Sequence, residues 1–359
     1  MVSPQKRAIV AMSGGVDSSV VAALLHEQGY DVVGITLQLY DHGQAVQKTK
    51  ACCAGQDIQD AKAVADRIGF PHYTLDYENR FRQQVIDDFA DSYVRGETPI
   101  PCIRCNQTVK FRDLLQMAQD LNGDFLATGH YVQRIASGGE ITMHRGADPA
   151  KDQSYFLFAT TPAQLSFLRF PLGGIPKVET RAMAKRYGLP VAEKPDSQDI
   201  CFVPDGRYGD LVKKLRPESI QPGNIVHVDG RVLGQHEGII NFTVGQRRGL
   251  HIGGGDILYV IRLDPDTRTV VVGPKEALAR HSVALTGVNW LGTSPERSHQ
   301  IEAKCRYSQD PAPATVTFGD NATATVTFDD PQYGIAPGQA CVFYSGSRVL
   351  GGGWIGHAA

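Results

Sequence analysis

The chain has 359 residues, 42% of them hydrophobic and 21% charged, with a formal net charge of −2. That length predicts two or three domains with real cores, and that charge excludes a generic basic coat for nucleic acid while leaving room for a local basic groove. No run approaches the ~20 apolar residues of a membrane span. The first seven residues lack an apolar signal core, and seven cysteines without framework spacing point to a cytoplasmic rather than a secreted chain.

Residues 8–12 form a short apolar run, β-branched at Ile9 and Val10, that predicts a buried parallel strand. Ser13, Gly14 and Gly15 predict a sharp turn. Residues 17–28 predict a helix with Val20, Val21, Leu24 and Leu25 on one face and Gly29 as its stop. A second strand is expected over 31–39, a polar stretch over 40–50, a helix over 56–68 and a third strand over 72–75. Phe81, Val85, Phe89 and Tyr93 mark an amphipathic helix over 79–95. A Pro-rich loop is expected over 96–106, a helix over 108–121, and a strand over 125–128 that ends at Gly129-His130. This alternation predicts an α/β fold with a doubly wound parallel sheet, whose ligands sit beyond the carboxyl ends of the strands.

Beyond Val132 the pattern changes. Residues 152–159 are aromatic-rich, 179–187 predict a short helix, and 193–203 predict a polar loop ending in I-C-F-V. Asp229-Gly230 marks a hairpin, and residues 245–255 are rich in glycine and basic side chains. From about Ser282 short strands follow one another, for example 314–318 and 323–328, as in a small β-barrel. Three domains are expected: 1–204 catalytic, 205–280 small and central, and 281–359 β-barrel.

The opening strand, glycine turn and helix N-terminus form an anion site, because backbone N–H groups and the helix dipole favour negative charge there. The hydroxyls of Ser13, Ser18 and Ser19 add donors. No Lys follows the turn, as a Walker A loop requires, and the glycines are adjacent, unlike a dinucleotide fingerprint. A bulky residue at Gly14 is expected to exclude a phosphate while leaving the fold intact.

Cys102 and Cys105 form a C-x-x-C just before a predicted helix, near Arg104 and Lys110, where a thiol should ionise more readily than usual. A redox pair, half a zinc site, cluster ligands, or one nucleophile with a bystander all fit that spacing. Cys201 reads either as a small buried hydrophobe among Ile200, Phe202 and Val203, or as part of an active-site loop approached by Asp196, Ser197, Gln198 and Asp199. Cys305 and Cys341 lie in strand-like segments and read as packing residues.

The string S-G-G-V-D-S resembles the PP-loop of N-type ATP pyrophosphatases. With C-N-x-x-V-K-F, T-G-H-Y, K-D-Q-S-Y-F-L, D-S-Q-D-I-C-F and G-Q-H-E-G-I-I-N-F-T-V-G-Q-R-R-G-L, in that order, the chain resembles the tRNA 2-thiouridylase family. The resemblance implies an enzyme that uses ATP and Mg²⁺ to activate the wobble uridine of a tRNA anticodon stem-loop and replaces its O2 by sulfur. It implies ATP binding by Ala11, Met12, Ser13, Gly14, Gly15, Val16, Asp17 and Ser18, with Leu37 and Gly129. It implies Cys105 as nucleophile and Cys201 as persulfide carrier. Ile100, Pro101 and Cys102 would meet the target base. His130, Lys151, Asp152, Gln153, Arg306, Tyr307 and Gln339 would meet the tRNA. A sulfur carrier or cysteine desulfurase would supply sulfur to a monomeric protein with no membrane partner. Cys102 stands where the family commonly has Asp, which puts any role of that Asp in question. Two alternatives stay open: a [4Fe–4S]-dependent tRNA sulfurtransferase with Cys102, Cys105 and Cys201 as ligands, and another PP-loop adenylating enzyme.

Overall fold

The computed structural model describes residues 5–40, 53–196, 200–203, 206–253, 257–292 and 296–357. The polar stretch after Tyr40, Cys52, and the acidic approach at 197–199 lie outside them. The chain divides into two compact units. One comprises Met1–Gln84, Ile103–Gln198 and Ser347–Val349; the other comprises Val85–Cys102, Asp199–Gly346 and Leu350–Ala359.

The first unit contains β1 (Arg7–Ala11), β2 (Asp31–Gln38), β3 (His72–Asp76), β4 (Phe125–Ala127), β5 (Val132–Ser137), β6 (Glu140–Arg145) and β7 (Leu168–Arg169). Five of these form one sheet in the order β3-β2-β1-β4-β7, every pair parallel. The expected doubly wound sheet is therefore present. β1 is its centre: Ala8 faces Val32 on one side and Phe125 on the other, and Ala8, Ile9 and Val10 are fully buried. A strand covered on both faces has no polar alternation, which is why its sequence reads as one apolar run. Val20, Val21 and Leu25 of helix Val16–Glu27 and Val64 of helix Cys53–Ile68 join Val10, Val32 and Phe125 in the core, each side chain contributing about 1.5–3 kcal/mol on burial.

Two expectations need correction here. The predicted loop over 96–106 ends early, because a helix begins at Pro101 (Pro101–Arg104) and continues as a wide π-helix over Cys105–Leu114 and an α-helix over Leu115–Asp120. Proline is well suited to a first helical turn, where its missing N–H has no partner to lose. Both cysteines of the C-x-x-C thus lie within helix. The hairpin of β5 and β6, turning at Gly138-Gly139 with both glycines at positive φ, was not anticipated. Arg348 and Val349 pair antiparallel with His144 and Met143 at the edge of that hairpin.

The second unit holds β8 (Gly223–His227), β9 (Val232–His236), β10 (Tyr259–Asp264) and β11 (Thr269–Gly273), a sheet in the order β10-β11-β8-β9 around Ile225, Val260, Leu263, Val270 and Val272. The β8–β9 hairpin turns at the expected Asp229-Gly230, with Gly230 at φ 93°. The strands β12 (Ala279–Trp290), β13 (Ser298–Lys304), β14 (Ala312–Phe318), β15 (Ala324–Tyr333), β16 (Ala340–Ser345) and β17 (Arg348–Ile355) follow. They run in the order β12-β15-β14-β13-β16-β17, and β12 closes on β17 through Leu285–Ile355 and Trp290–Gly351. Closure removes free sheet edges, and this is the expected β-barrel. Cys305 and Cys341 are buried in its core, consistent with packing, and burial together with the neighbouring Cys305 pushes the Cys341 thiol up.

Candidate active site

β1 is flanked by β2 and β4, so the order reverses at its carboxyl end. Two segments leave the sheet there: residues 12–15 after β1, and Thr128-Gly129-His130 after β4. They meet closely. A side chain at Gly129 would place its Cβ 2.9 Å from the Ser18 amide nitrogen and 3.0 Å from the Asp17 carbonyl carbon. Gly15 precedes the helix without any side-chain cap, which leaves the first-turn N–H groups open for an anion. This glycine cradle suits a polyphosphate. The serine expectation needs adjustment. The Ser18 and Ser19 hydroxyls donate to the Gly15 carbonyl at 3.3 and 2.8 Å, and the Ser13 amide donates to Ser18 Oγ at 3.1 Å, so these groups shape the turn.

Gly14 is fixed by backbone as well as by ligand space. Its φ is 73°, and a Cβ would lie 2.2 Å from the Asp57 carbonyl oxygen. The expectation that a bulky residue here spares the fold is therefore corrected. Gly14→Ala is expected to lower the melting temperature by several degrees, whereas Gly15→Ala, whose nearest neighbour is Ser13 Oγ at 3.5 Å, should melt within about two degrees of wild type. Equal melting of the two variants, by calorimetry, would contradict this packing.

Asp17 is held from two sides. Lys177 Nζ donates to both its carboxylate oxygens at 2.7 and 2.8 Å, and the buried Tyr131 hydroxyl donates to Oδ1 at 2.8 Å. Lys177 also pairs with Asp196 at 2.9 Å, and Asp196 is gripped by Lys151 at 2.8 Å and Arg181 at 2.6 Å. Burial works to raise the Asp196 carboxyl, but hydrogen bonds from Lys151 and Lys177 outweigh it and bring it down to about 2. A second lysine, Lys194, reaches the other side of the loop. Its Nζ donates to the Gly14 carbonyl at 3.0 Å, to Asp57 at 2.6 Å and to Asp60 at 2.5 Å. Lys177, Lys194 and Tyr131 were not singled out from the sequence. The available signal was that Lys194 and Asp196 sit in the same K-P-D-S-Q-D-I-C-F string as Cys201.

Cys105 opens the π-helix and is 8% exposed. Burial pushes its thiol up, and the charge of Lys110 only partly offsets this. The expectation of an easily ionised thiol is thus overturned, because burial outweighs the nearby positive charge. Asn106 follows, also buried, its Nδ2 donating to the Phe156 carbonyl at 3.2 Å. The His130 ring lies edge-on to Phe111 and Phe170, its Nδ1 2.8 Å from Thr128 Oγ1. Burial and, secondarily, Lys110 push that imidazole down to about 3, so it is neutral at physiological pH. Asp152 accepts from the Gly146 and Ser154 amides at 3.0 Å each, and Gln153 Oε1 accepts from the Tyr131 amide at 2.9 Å. Leu37 is half-buried at the carboxyl end of β2.

In the second unit, Cys201 is exposed while Val203 is buried and Ile200 and Phe202 pack against the cluster of Phe89, Tyr93, Val212 and Ile240. Phe202 meets Phe89 edge-on at 5.3 Å. The apolar flanks anchor the segment while Cys201 itself is exposed, which decides against the buried-hydrophobe reading. Ile100 is half-buried, Pro101 buried and Cys102 exposed. Gln339 Nε2 donates to the Thr98 carbonyl at 2.8 Å, two residues before Ile100. Arg306 donates to the Val244 carbonyl at 2.9 Å, and Tyr307 is exposed beneath the Lys304 ammonium, 5.3 Å from the ring centre. Brief alkylation at pH 8 is expected to label Cys102 and Cys201 well before Cys105, read by peptide mass spectrometry; early labelling of Cys105 would contradict its burial.

Among the described residues no three His, Cys, Asp or Glu side chains converge as a metal-ligand set. Nor is any helix among them long and apolar enough to cross a membrane.

A glycine loop at the switch point of a parallel sheet defines a nucleotide-binding α/β domain. Residues 6–205 match the family described as tRNA methyl transferase HUP domain, 209–274 the tRNA methyl transferase PRC-barrel domain, and 280–355 the aminomethyltransferase β-barrel domain. The chain is 65% identical to the tRNA-specific 2-thiouridylase MnmA of Rhodospirillum centenum, over 97% of this chain and 91% of that one. It is 62% identical to the protein of the same name from Paracoccus denitrificans, over 98% and 92%. The chain belongs to the tRNA-specific 2-thiouridylase family.

Proposed function

We propose that this protein is an ATP-dependent tRNA-uridine 2-sulfurtransferase acting on the wobble uridine of a tRNA anticodon loop. The observation that carries the reading is the open glycine cradle at the switch point, in a chain that also presents an exposed Cys201. Three parts, 1–204, 205–280 and 281–359, divide the work into catalysis, central tRNA contacts and the β-barrel's tRNA contacts.

The C2 oxygen of uracil is a poor leaving group. ATP is the co-substrate that makes it a good one: O2 attacks the α-phosphorus, pyrophosphate departs, and O2 later leaves with AMP. Ala11–Ser18, with Gly129 and Leu37, hold the nucleotide; the first-turn N–H groups take the phosphates and Lys177 keeps Asp17 in register. Mg²⁺, bound with the nucleotide, supplies further neutralisation of phosphate charge.

Sulfur arrives as a persulfide on Cys201, loaded by a sulfur carrier or cysteine desulfurase. The Cys105 thiolate attacks the inner sulfur; a Cys105–Cys201 disulfide forms, the outer S–S bond breaks, and hydrogen sulfide is released. Sulfide adds to C2, AMP leaves with O2, and cellular thiol reduces the disulfide. Lys110 favours the Cys105 thiolate against its burial. Ile100, Pro101 and Cys102 meet the base, and His130, Lys151, Asp152, Gln153, Arg306, Tyr307 and Gln339 meet the tRNA. A flipped loop base leaves its stack more cheaply than one in a duplex.

The test is reconstitution from purified protein, tRNA, ATP, Mg²⁺, a persulfide donor and a thiol reductant, with nucleoside mass spectrometry. One 2-thiouridine and one AMP per tRNA are expected. AMP without thiolation would favour a different adenylating enzyme; neither product would remove the proposal.

A further inference from the structure

Asn106 carries an acceptor that the folded chain does not use. The residue is 4% exposed, and its Oδ1 has no hydrogen-bond donor among the described residues. The orientation of the amide is not arbitrary. Its other end faces the Phe156 carbonyl at 3.2 Å, and a carbonyl only accepts, so that end is the NH₂ and the unmatched end is the oxygen. A buried acceptor without a donor destabilises a fold unless a ligand or an ordered water supplies one. Asn106 directly follows Cys105 in the ten-residue π-helix, a helix type concentrated at functional sites.

The proposed substrate has one matching donor. Uracil attached to ribose carries a single ring N–H, at N3, and N3 is bonded to C2, the atom that receives sulfur. Cytosine has no hydrogen at N3. We infer that Asn106 Oδ1 accepts the N3–H of the target uracil, making Asn106 a uracil-selecting and C2-aiming residue; this rests on the function proposed above. The contact also strengthens during adenylation. As the O2–phosphorus bond forms and the bridging oxygen leaves with pyrophosphate and its electron pair, positive charge develops across O2, C2 and N3, and N3–H becomes a better donor. It is retained in the 2-thiouridine product. A neutral amide holds that proton without removing it, and an interaction that tightens in the transition state raises kcat as well as affinity.

The experiment uses the full-length enzyme and two tRNAs, one with uridine at the wobble position and one with 3-deazauridine, in which C–H replaces N3–H. Wild type, Asn106→Ala and Asn106→Asp are compared by kcat/KM for thiolation and by tRNA affinity without ATP, with melting temperatures recorded. The wild-type preference for uridine should fall about tenfold or more in Asn106→Ala, because the selecting acceptor is gone. It should survive in Asn106→Asp, since a buried neutral carboxyl presents the same acceptor and can donate to Phe156 in place of the amide. Equal loss on both tRNAs, with the preference intact, would reduce Asn106 to a structural residue and overturn the inference. If Asn106→Ala does not fold, wild-type affinity decides: weaker binding of the deaza tRNA supports the contact and equal binding overturns it. Wild type that fails to thiolate the uridine tRNA at all would instead defeat the proposed function.

Discussion

Replacing Lys177 by methionine should abolish most AMP formation and destabilise the first unit at once. Lys177 is 8% exposed and is bound by Asp17 on one side and Asp196 on the other. Removing one partner of a buried ion pair typically costs about 3–5 kcal/mol, because the carboxylates keep their desolvation without their counter-charge. Misplacing Asp17 in the nucleotide loop by an ångström is enough for a loss of about a hundredfold in rate. The network also sets an acid limit. Asp196 is depressed to about 2 from an ordinary value of 3.8, so the stability it contributes is complete above pH ~4 and is lost as pH falls from there towards 2. In Lys177→Met that acid-dependent component should shrink. Unchanged melting and unchanged pyrophosphate release would show that the network is incidental.

The two cysteine substitutions should separate. Cys201→Ala is expected to release tRNA-dependent pyrophosphate in its first turnover within about threefold of wild type, to hold the AMP moiety on the tRNA, and to yield no 2-thiouridine, since activation precedes sulfur delivery. Cys105→Ala should also yield none, yet after incubation with a persulfide donor its Cys201 peptide should carry the mass of one additional sulfur. Thiolation by either alanine variant would break the relay. Cys102→Asp, restoring the carboxylate common at that position, should retain substantial activity.

Much of the first unit was legible because its physics is local. Ala8, Ile9 and Val10 announce a strand buried on both faces, and Gly14-Gly15 before Asp17 announce a turn into a helix. What was missed depends on distance or on ambiguous residues. Pro101 reads equally well as loop or as first helical turn, and taking it as loop put Cys105 outside the helix. Its ionisation fell on the wrong side because burial outweighs the nearby positive charge. β7 is two residues long and exists only because β4 lies beside it. Lys177 is 160 residues from Asp17, and a single lysine near the start of a helix carries no signal until the fold pairs it. Asn106 is the opposite case: its neighbour Cys105 drew notice, while the importance of its own amide lies in a bond that the fold does not make.

The short pairing of Arg348 and Val349 with β6 has a consequence for synthesis. His144 bonds to Ser347 across 203 residues, so the outer edge of the β5–β6 hairpin gains its neighbour only when nearly all the chain has been made. At about 5–20 residues per second, the hairpin waits roughly 10–40 s on the ribosome with an open flank. The segment Ser347–Val349 is thus the seal on a strand made long before it, and a chain cut short anywhere before Ser347 leaves that flank available to other strands.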